Sequence, residues 1–141
     1  MRIMAIDYGD ARTGIAVSDS SGTLAGDAWT INDWNAESVA GKIAEEAAKR
    51  GVQALVLGYP RNMDGTAGPR AEKSEQFAKL LQQKSGLSVT LWDERRTTID
   101  AHRILSDNGR HGKKRKQTID AVAATLILEG YLNSQGQKTD G

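Results

Sequence analysis

Apolar residues fall in short blocks along the chain, and the spacing inside each block assigns an element. Residues 3–6 form an unbroken apolar run, too short for a helix, that stops at Asp7; this reads as a buried strand. Residues 13–18, TGIAVS, form a second. Ser20, Ser21 and Gly22 signal a turn, and residues 24–31, which include Trp29, form a third strand. At residues 35–50 the period lengthens. Val39, Ile43 and Ala47 recur every four positions, the stripe of a helix, and Gly51 is placed to cap its end. Residues 52–58, VQALVLG, return to a strand. Residues 59–69 are rich in Gly, Pro, Asn and Asp and form a loop. A second helix is expected over 70–84, with Phe77, Leu80 and Leu81 inward and Gly86 closing it. A fifth strand over 87–92 runs into Asp93 and Glu94.

Thr97 and Asp100 fit a capping box that opens a helix reaching about Ser106, and Asp107-Asn108-Gly109 breaks it. Residues 110–116, RHGKKRK, read as a basic loop. The last helix is expected over 117–132, its apolar face made by Ile119, Val122, Ala123, Leu126 and Ile127. Residues 133–141 are polar and expected to be disordered. The order β-β-β-α-β-α-β-α-α predicts an α/β fold: a mixed five-stranded sheet, three antiparallel strands followed by parallel ones, with helices on both faces. Residues 1–132 are expected to form a single domain.

Composition narrows the setting. A chain of 141 residues suits one compact domain with a core of its own. The absence of cysteine excludes disulfides and thiolate metal sites and is in keeping with a reducing cytosol. No segment approaches the roughly 18 apolar residues that span a bilayer, so a soluble, cytoplasmic protein without membrane association is expected. The net charge of +1, from 19 basic and 18 acidic residues, is uninformative by itself. Its distribution is not: five of the seven residues in 110–116 are Lys or Arg.

Three acidic positions carry the candidate chemistry. Asp7 ends the first strand, Asp93 and Glu94 end the fifth, and Asp120 lies near the start of the last helix. In open sheets, sites form beyond the carboxyl ends of parallel strands. If the first and fifth strands are parallel, Asp7 and Glu94 emerge at one edge, and the last helix can bring Asp120 there. Each acid has an ordinary alternative role as a turn or cap residue, as a partner of Arg95 or Arg96, or at the positive end of a helix. Together they would repel by about 4 kcal/mol per pair at 4 Å and an effective dielectric near 20. A hard divalent cation resolves that repulsion. The two histidines, His102 and His111, form no zinc-binding cluster.

Four motifs, DYGDARTGIAVSD (7–19), GYPRNMDGTAGP (58–69), DERRTT (93–98) and KKRKQTIDAVAATLILEGYL (113–132), resemble in order those of the YqgF family, also called RuvX, of the RNase H-like fold. The resemblance implies a bacterial metal-dependent nuclease. Family members are described as Holliday-junction resolvases and are assigned to maturation of the 5′ end of pre-16S ribosomal RNA. By position, Asp7, Glu94 and Asp120 correspond to the family's catalytic acids, with Asp93 the competitor of Glu94 as a metal ligand. Junction-resolving relatives carry a further acid about one turn on, where this chain has Ala123 and Ala124.

On this reading Mg²⁺ or Mn²⁺, as two ions, is held by Asp7, Glu94 and Asp120. Arg12, Arg61, Arg95, Arg96 and the run Lys113, Lys114, Arg115 and Lys116 are the candidate contacts to a nucleic acid, either structured RNA or branched DNA. Gly9 and Gly14 either let the turn approach a ligand or serve a plain hairpin turn. Trp29, Trp34 and Trp92 are read as packing residues rather than base-stacking platforms. The chain is expected to act as a monomer or homodimer. The rival readings are a junction resolvase acting on branched DNA and a non-catalytic nucleic-acid-binding module. A nucleotide-binding fold of the sugar-kinase and actin type would need two lobes.

Overall fold

The computed structural model describes residues 1–59, 68–93 and 112–140, with backbone alone for 112–120 and 136–140. Residues 60–67 of the loop expected over 59–69, the helix expected over 97–106, and Arg61, Glu94, Arg95 and Arg96 lie outside the described residues. Five strands form one sheet in the order β3-β2-β1-β4-β5: β1 (Arg2–Asp7), β2 (Arg12–Ser18), β3 (Ala25–Asn32), β4 (Val52–Tyr59) and β5 (Val89–Asp93). β1 and β3 each pair antiparallel with β2, whereas β4 runs parallel to both β1 and β5. This is the mixed α/β sheet expected from the order of elements.

β1 is central because both of its faces are apolar. Met4 and Ile6 point to one side, where they pack with α1 (Ala36–Arg50) and α2 (Pro69–Ser85) through Val39, Ile43, Phe77 and Leu81. Ile3 and Ala5 point to the other, where they meet Ala124, Ile127, Leu128 and Leu132 of α3 (Gly112–Asp140). An unbroken apolar run is what a strand covered on both faces requires. α1 starts at Asn35, whose side chain accepts from the Ser38 N–H at 2.9 Å, and ends at Gly51 in the left-handed conformation. Gly86 ends α2 in the same way.

Four expectations are corrected. Residue 24 belongs to the turn before β3: Asp19 Oδ1 accepts from the Thr23 and Leu24 N–H groups at 2.9 and 3.4 Å, and Leu24 is left exposed. Residues 112–116 of the basic run are not a loop, because α3 begins at Gly112 and takes Lys113, Lys114, Arg115 and Lys116 into its first turns. Lys, Arg and Gln are good helix formers, and nothing between Gly112 and Gln117 interrupts them. The polar stretch 133–140 also continues the helix to Asp140 instead of ending at Leu132. The buried stripe of α3 is also displaced: Ala124 is fully buried while Val122 and Ala123 are only half-buried.

Candidate active site

The register across the parallel strands sets the frame. Ile6 pairs with Leu57 and Leu57 with Leu91, so β1, β4 and β5 end at one edge. Adjacent strands lie about 4.8 Å apart, which puts the ends of β1 and β5 about 10 Å from each other. Asp7, half-buried, is the last residue of β1. It shares its face with Ile3 and Ala5, the face covered by α3. Its partner across the antiparallel ladder is Gly14, so no side chain stands opposite the carboxylate. Arg12 lies two residues before Gly14 and therefore on the same face, diagonal to Asp7.

The turn joining β1 to β2 is tight. A Cβ on Gly9 would collide with the Arg12 carbonyl oxygen. The close approach of backbone to backbone is what excludes a side chain there. Tyr8 points to the other face and stacks on Phe77, with ring centroids 3.9 Å apart and planes 7° from parallel. Burial, with Asp10 adding to it, pushes the Tyr8 hydroxyl above its ordinary pKa. Tyr8, Asp10, Arg70, Lys73 and Ser74 line a small polar pocket at the start of α2, with Lys73 Nζ 3.6 Å from Asp10 Oδ1. The motif reading passed over this pocket. Its members are unremarkable singly, and only the sheet brings residue 10 to residue 73.

The pleat also bears on Asp93. It pairs with Tyr59, whose hydroxyl donates to Glu75 Oε1 on α2 at 2.7 Å. Trp92, one residue earlier, packs on the α3 face. Alternation therefore puts Asp93 on the face opposite Asp7. Asp120 is in α3, one turn before Ala124, which is fully buried in the cluster under that helix.

A donor set of carboxylates, without imidazole or thiolate, fits a hard cation such as Mg²⁺ or Mn²⁺. Among the described residues no three His, Cys, Asp or Glu side chains converge. Asp7 is the one member of the expected triad whose side chain is described. Among the described residues no helix is long and apolar enough to cross a membrane.

The chain matches the profile of the RuvX family, described as "Holliday junction resolvase", over residues 1–134. The protein belongs to this family. It is 44% identical over 140 residues to a protein of Acetivibrio thermocellus named "Putative pre-16S rRNA nuclease", with 97% of this chain and 99% of the relative covered. A protein of the same name from Halothermothrix orenii is 44% identical, with 97% and 98% covered. Among solved structures, Thermus thermophilus RuvC in complex with a Holliday junction substrate superposes with a TM-score of 0.62 at 11% identity, covering 97% of this chain and 96% of the other. Fowlpox virus resolvase with its substrate Holliday junction DNA gives 0.59 at 15% identity, covering 96% and 99%. These likenesses establish the RNase H-like fold for the RuvX chain.

Proposed function

We propose that the protein is a metal-dependent nuclease that hydrolyses phosphodiester bonds, acting in maturation of the 5′ end of pre-16S ribosomal RNA. The observation that carries this reading is the position of Asp7. It closes the central strand, at the edge where the parallel strands end, with a glycine opposite it on the ladder. A half-buried carboxylate at that edge is suited to holding a hard cation. Full-length relatives at 44% identity named as pre-16S ribosomal RNA nucleases support the substrate class.

In this reading Asp7, Glu94 and Asp120 hold two Mg²⁺ or Mn²⁺ ions. When bound, the ions supply Lewis-acid stabilisation for in-line attack of water on phosphorus. The chain does the rest. Gly14 keeps the space beside Asp7 open for the scissile phosphate. Arg12, on the same face, offsets charge growing on the phosphate oxygens. Lys113, Lys114, Arg115 and Lys116, at the start of the helix that carries Asp120, track the backbone of the nucleic acid.

Junction resolution is the second reading, since the family description names it. One observation weighs against it. Where junction-resolving relatives carry a further acid, about one turn beyond Asp120, this chain has Ala123 and Ala124, neither of which can supply a carboxylate. The deciding experiment compares wild type and Asp7→Asn on three substrates: a pre-16S leader RNA, a four-way DNA junction and plain duplexes, each with Mg²⁺, Mn²⁺ or EDTA. Metal-dependent cleavage of the leader by wild type, lost in Asp7→Asn at an unchanged or raised melting temperature, is the expected outcome. Wild-type rates in the variant would remove Asp7 from the mechanism, and preference for the junction would reverse the order of the two readings.

A further inference from the structure

Trp34 is the most exposed of the large apolar side chains among the described residues, at 79%. Its surroundings fix it at the edge that carries Asp7. β3 runs in the same direction as β1, and its last residue, Asn32, pairs with Arg12 at the start of β2. The Asp33 N–H donates to the Ala11 carbonyl at 3.1 Å, tying the β3–α1 junction to the turn that follows Asp7. Asp33 is itself held from three sides: Oδ1 accepts from the Asn35 N–H at 2.9 Å, and Oδ2 from Ser38 Oγ at 2.6 Å and Lys42 Nζ at 3.1 Å. The indole therefore projects from a braced backbone, two strand positions, or about 10 Å, to the side of β1.

The other two tryptophans differ. Trp29 is half-buried under the Arg50 guanidinium, 4.4 Å from the ring centroid. Trp92 is half-buried, edge-on to Tyr131. Only Trp34 presents an open aromatic face. An exposed indole on a braced backbone, two residues beyond the ladder partner of Arg12 and at the edge proposed to cut nucleic acid, has the form of a stacking platform. An aromatic face accepts any base and is sequence-tolerant.

We infer that Trp34 stacks on an unpaired nucleotide a few positions from the scissile phosphate, so that the site prefers single-stranded RNA over a continuous duplex. This rests on the nuclease reading above and adds the strandedness of the substrate to it. A duplex keeps its bases stacked on one another and offers Trp34 nothing to cover; a single strand can turn a base onto it.

The test uses the full chain and two probes in EDTA, a labelled 12-nucleotide single-stranded RNA and the blunt duplex of the same sequence. Trp34→Ala is expected to weaken single-strand binding by about 5- to 150-fold, the range of one stacked base. Trp34→Phe is expected to keep most of the affinity, and duplex binding to stay as in wild type. Because no phosphate contact is lost, the slope of log affinity against log salt should not change. With Mg²⁺, KM for single-stranded substrate should rise while kcat holds. Wild-type affinity in Trp34→Ala overturns the platform and leaves the nuclease reading standing. Equal losses on both probes, a changed salt slope or a lowered melting temperature overturn it as well. Cleavage that survives Asp7→Asn would instead strike the reading beneath it.

Discussion

Asp7 and Gly14 face each other across the β1–β2 ladder. Directly opposed residues carry their Cβ atoms about 4.5–5.5 Å apart, so any side chain at position 14 would occupy the space over the carboxylate. Valine is a good strand residue, and β2 is an interior strand of the sheet. Gly14→Val is therefore expected to reduce cleavage by at least about tenfold through crowding, and Gly14→Ala by less. Initial rates at saturating metal, set beside melting curves, separate this from unfolding: a loss of rate without a loss of melting temperature is the expected pattern. If Gly14→Val cleaves like wild type, nothing of importance approaches Asp7 from that side.

The placement of the basic run in the first turns of α3 makes a second prediction. Lys113, Lys114, Arg115 and Lys116 occupy consecutive positions of a helix that opens at Gly112. Four successive residues on a helix span a full turn, so they do not all face one groove. Neutralising all four to Gln should weaken binding to any RNA sequence. The salt slope should fall by fewer than about four, near one unit for each cation that touches a phosphate. Titrations at several salt concentrations, with each single variant, give the number that do. A slope unchanged in the quadruple variant would mean that the nucleic acid passes elsewhere.

The sheet could be read from the sequence because its signals are local and strong. The apolar run of β1 needs cover on both faces, and the change of period at Val39, Ile43 and Ala47 marks the first helix. Gly51 and Gly86 both cap helices in the left-handed conformation, as their positions suggested. What failed were boundaries set by composition. Residues 112–116 look like a loop because they are polar and basic, yet polarity does not oppose a helix rich in Lys and Arg. For the site, Asp7 was legible because a charge at the end of a buried strand is unusual. Separating Asp93 from Asp7 required the pairing with Tyr59, a register that no local pattern carries. The exposure of Trp34 was likewise invisible, since Trp29, Trp34 and Trp92 look alike until packing buries part of two of them.

The brace beneath Trp34 has a pH signature. Hydrogen bonds to Asp33 from Ser38, the Asn35 N–H and Lys42, in that order of importance, hold its carboxyl down to about 2 from an ordinary 3.8. A folded pKa below the unfolded one means that the unfolded chain binds more protons in between. The stabilisation is therefore complete above about pH 4 and lost as pH falls toward 2. Asp33→Asn should lower the melting temperature at pH 7 and at pH 5, and the two curves should converge between pH 4 and pH 2. Melting curves across that range check it; a constant gap down to pH 2 would assign the effect to packing rather than to charge. Because Asp33 anchors the junction, the same variant should weaken single-stranded RNA binding less than Trp34→Ala does.

Gly130 tests how α3 is seated. A Cβ at this position would stand 3.1 Å from Trp92 Cζ2 and 3.4 Å from Cε2 and Nε1. The glycine thus forms a notch into which the indole fits, with Tyr131 edge-on to it at 6.1 Å. Two effects oppose each other in Gly130→Ala. The helix gains up to about 1 kcal/mol of intrinsic propensity, while the methyl presses on an indole that must give by a few tenths of an ångström. Their near-cancellation predicts a net change within about 1 kcal/mol. In Gly130→Leu nothing offsets the overlap, and overpacking of this kind costs about 1–3 kcal/mol. Chemical denaturation measures both, and near-ultraviolet circular dichroism reports whether Trp92 has turned. Since α3 also carries Asp120 toward its amino end, Gly130→Leu should cut more slowly at a temperature where it remains folded, and Gly130→Ala should not. If the leucine variant is as stable and as active as wild type, the helix does not depend on this notch for its position over the sheet.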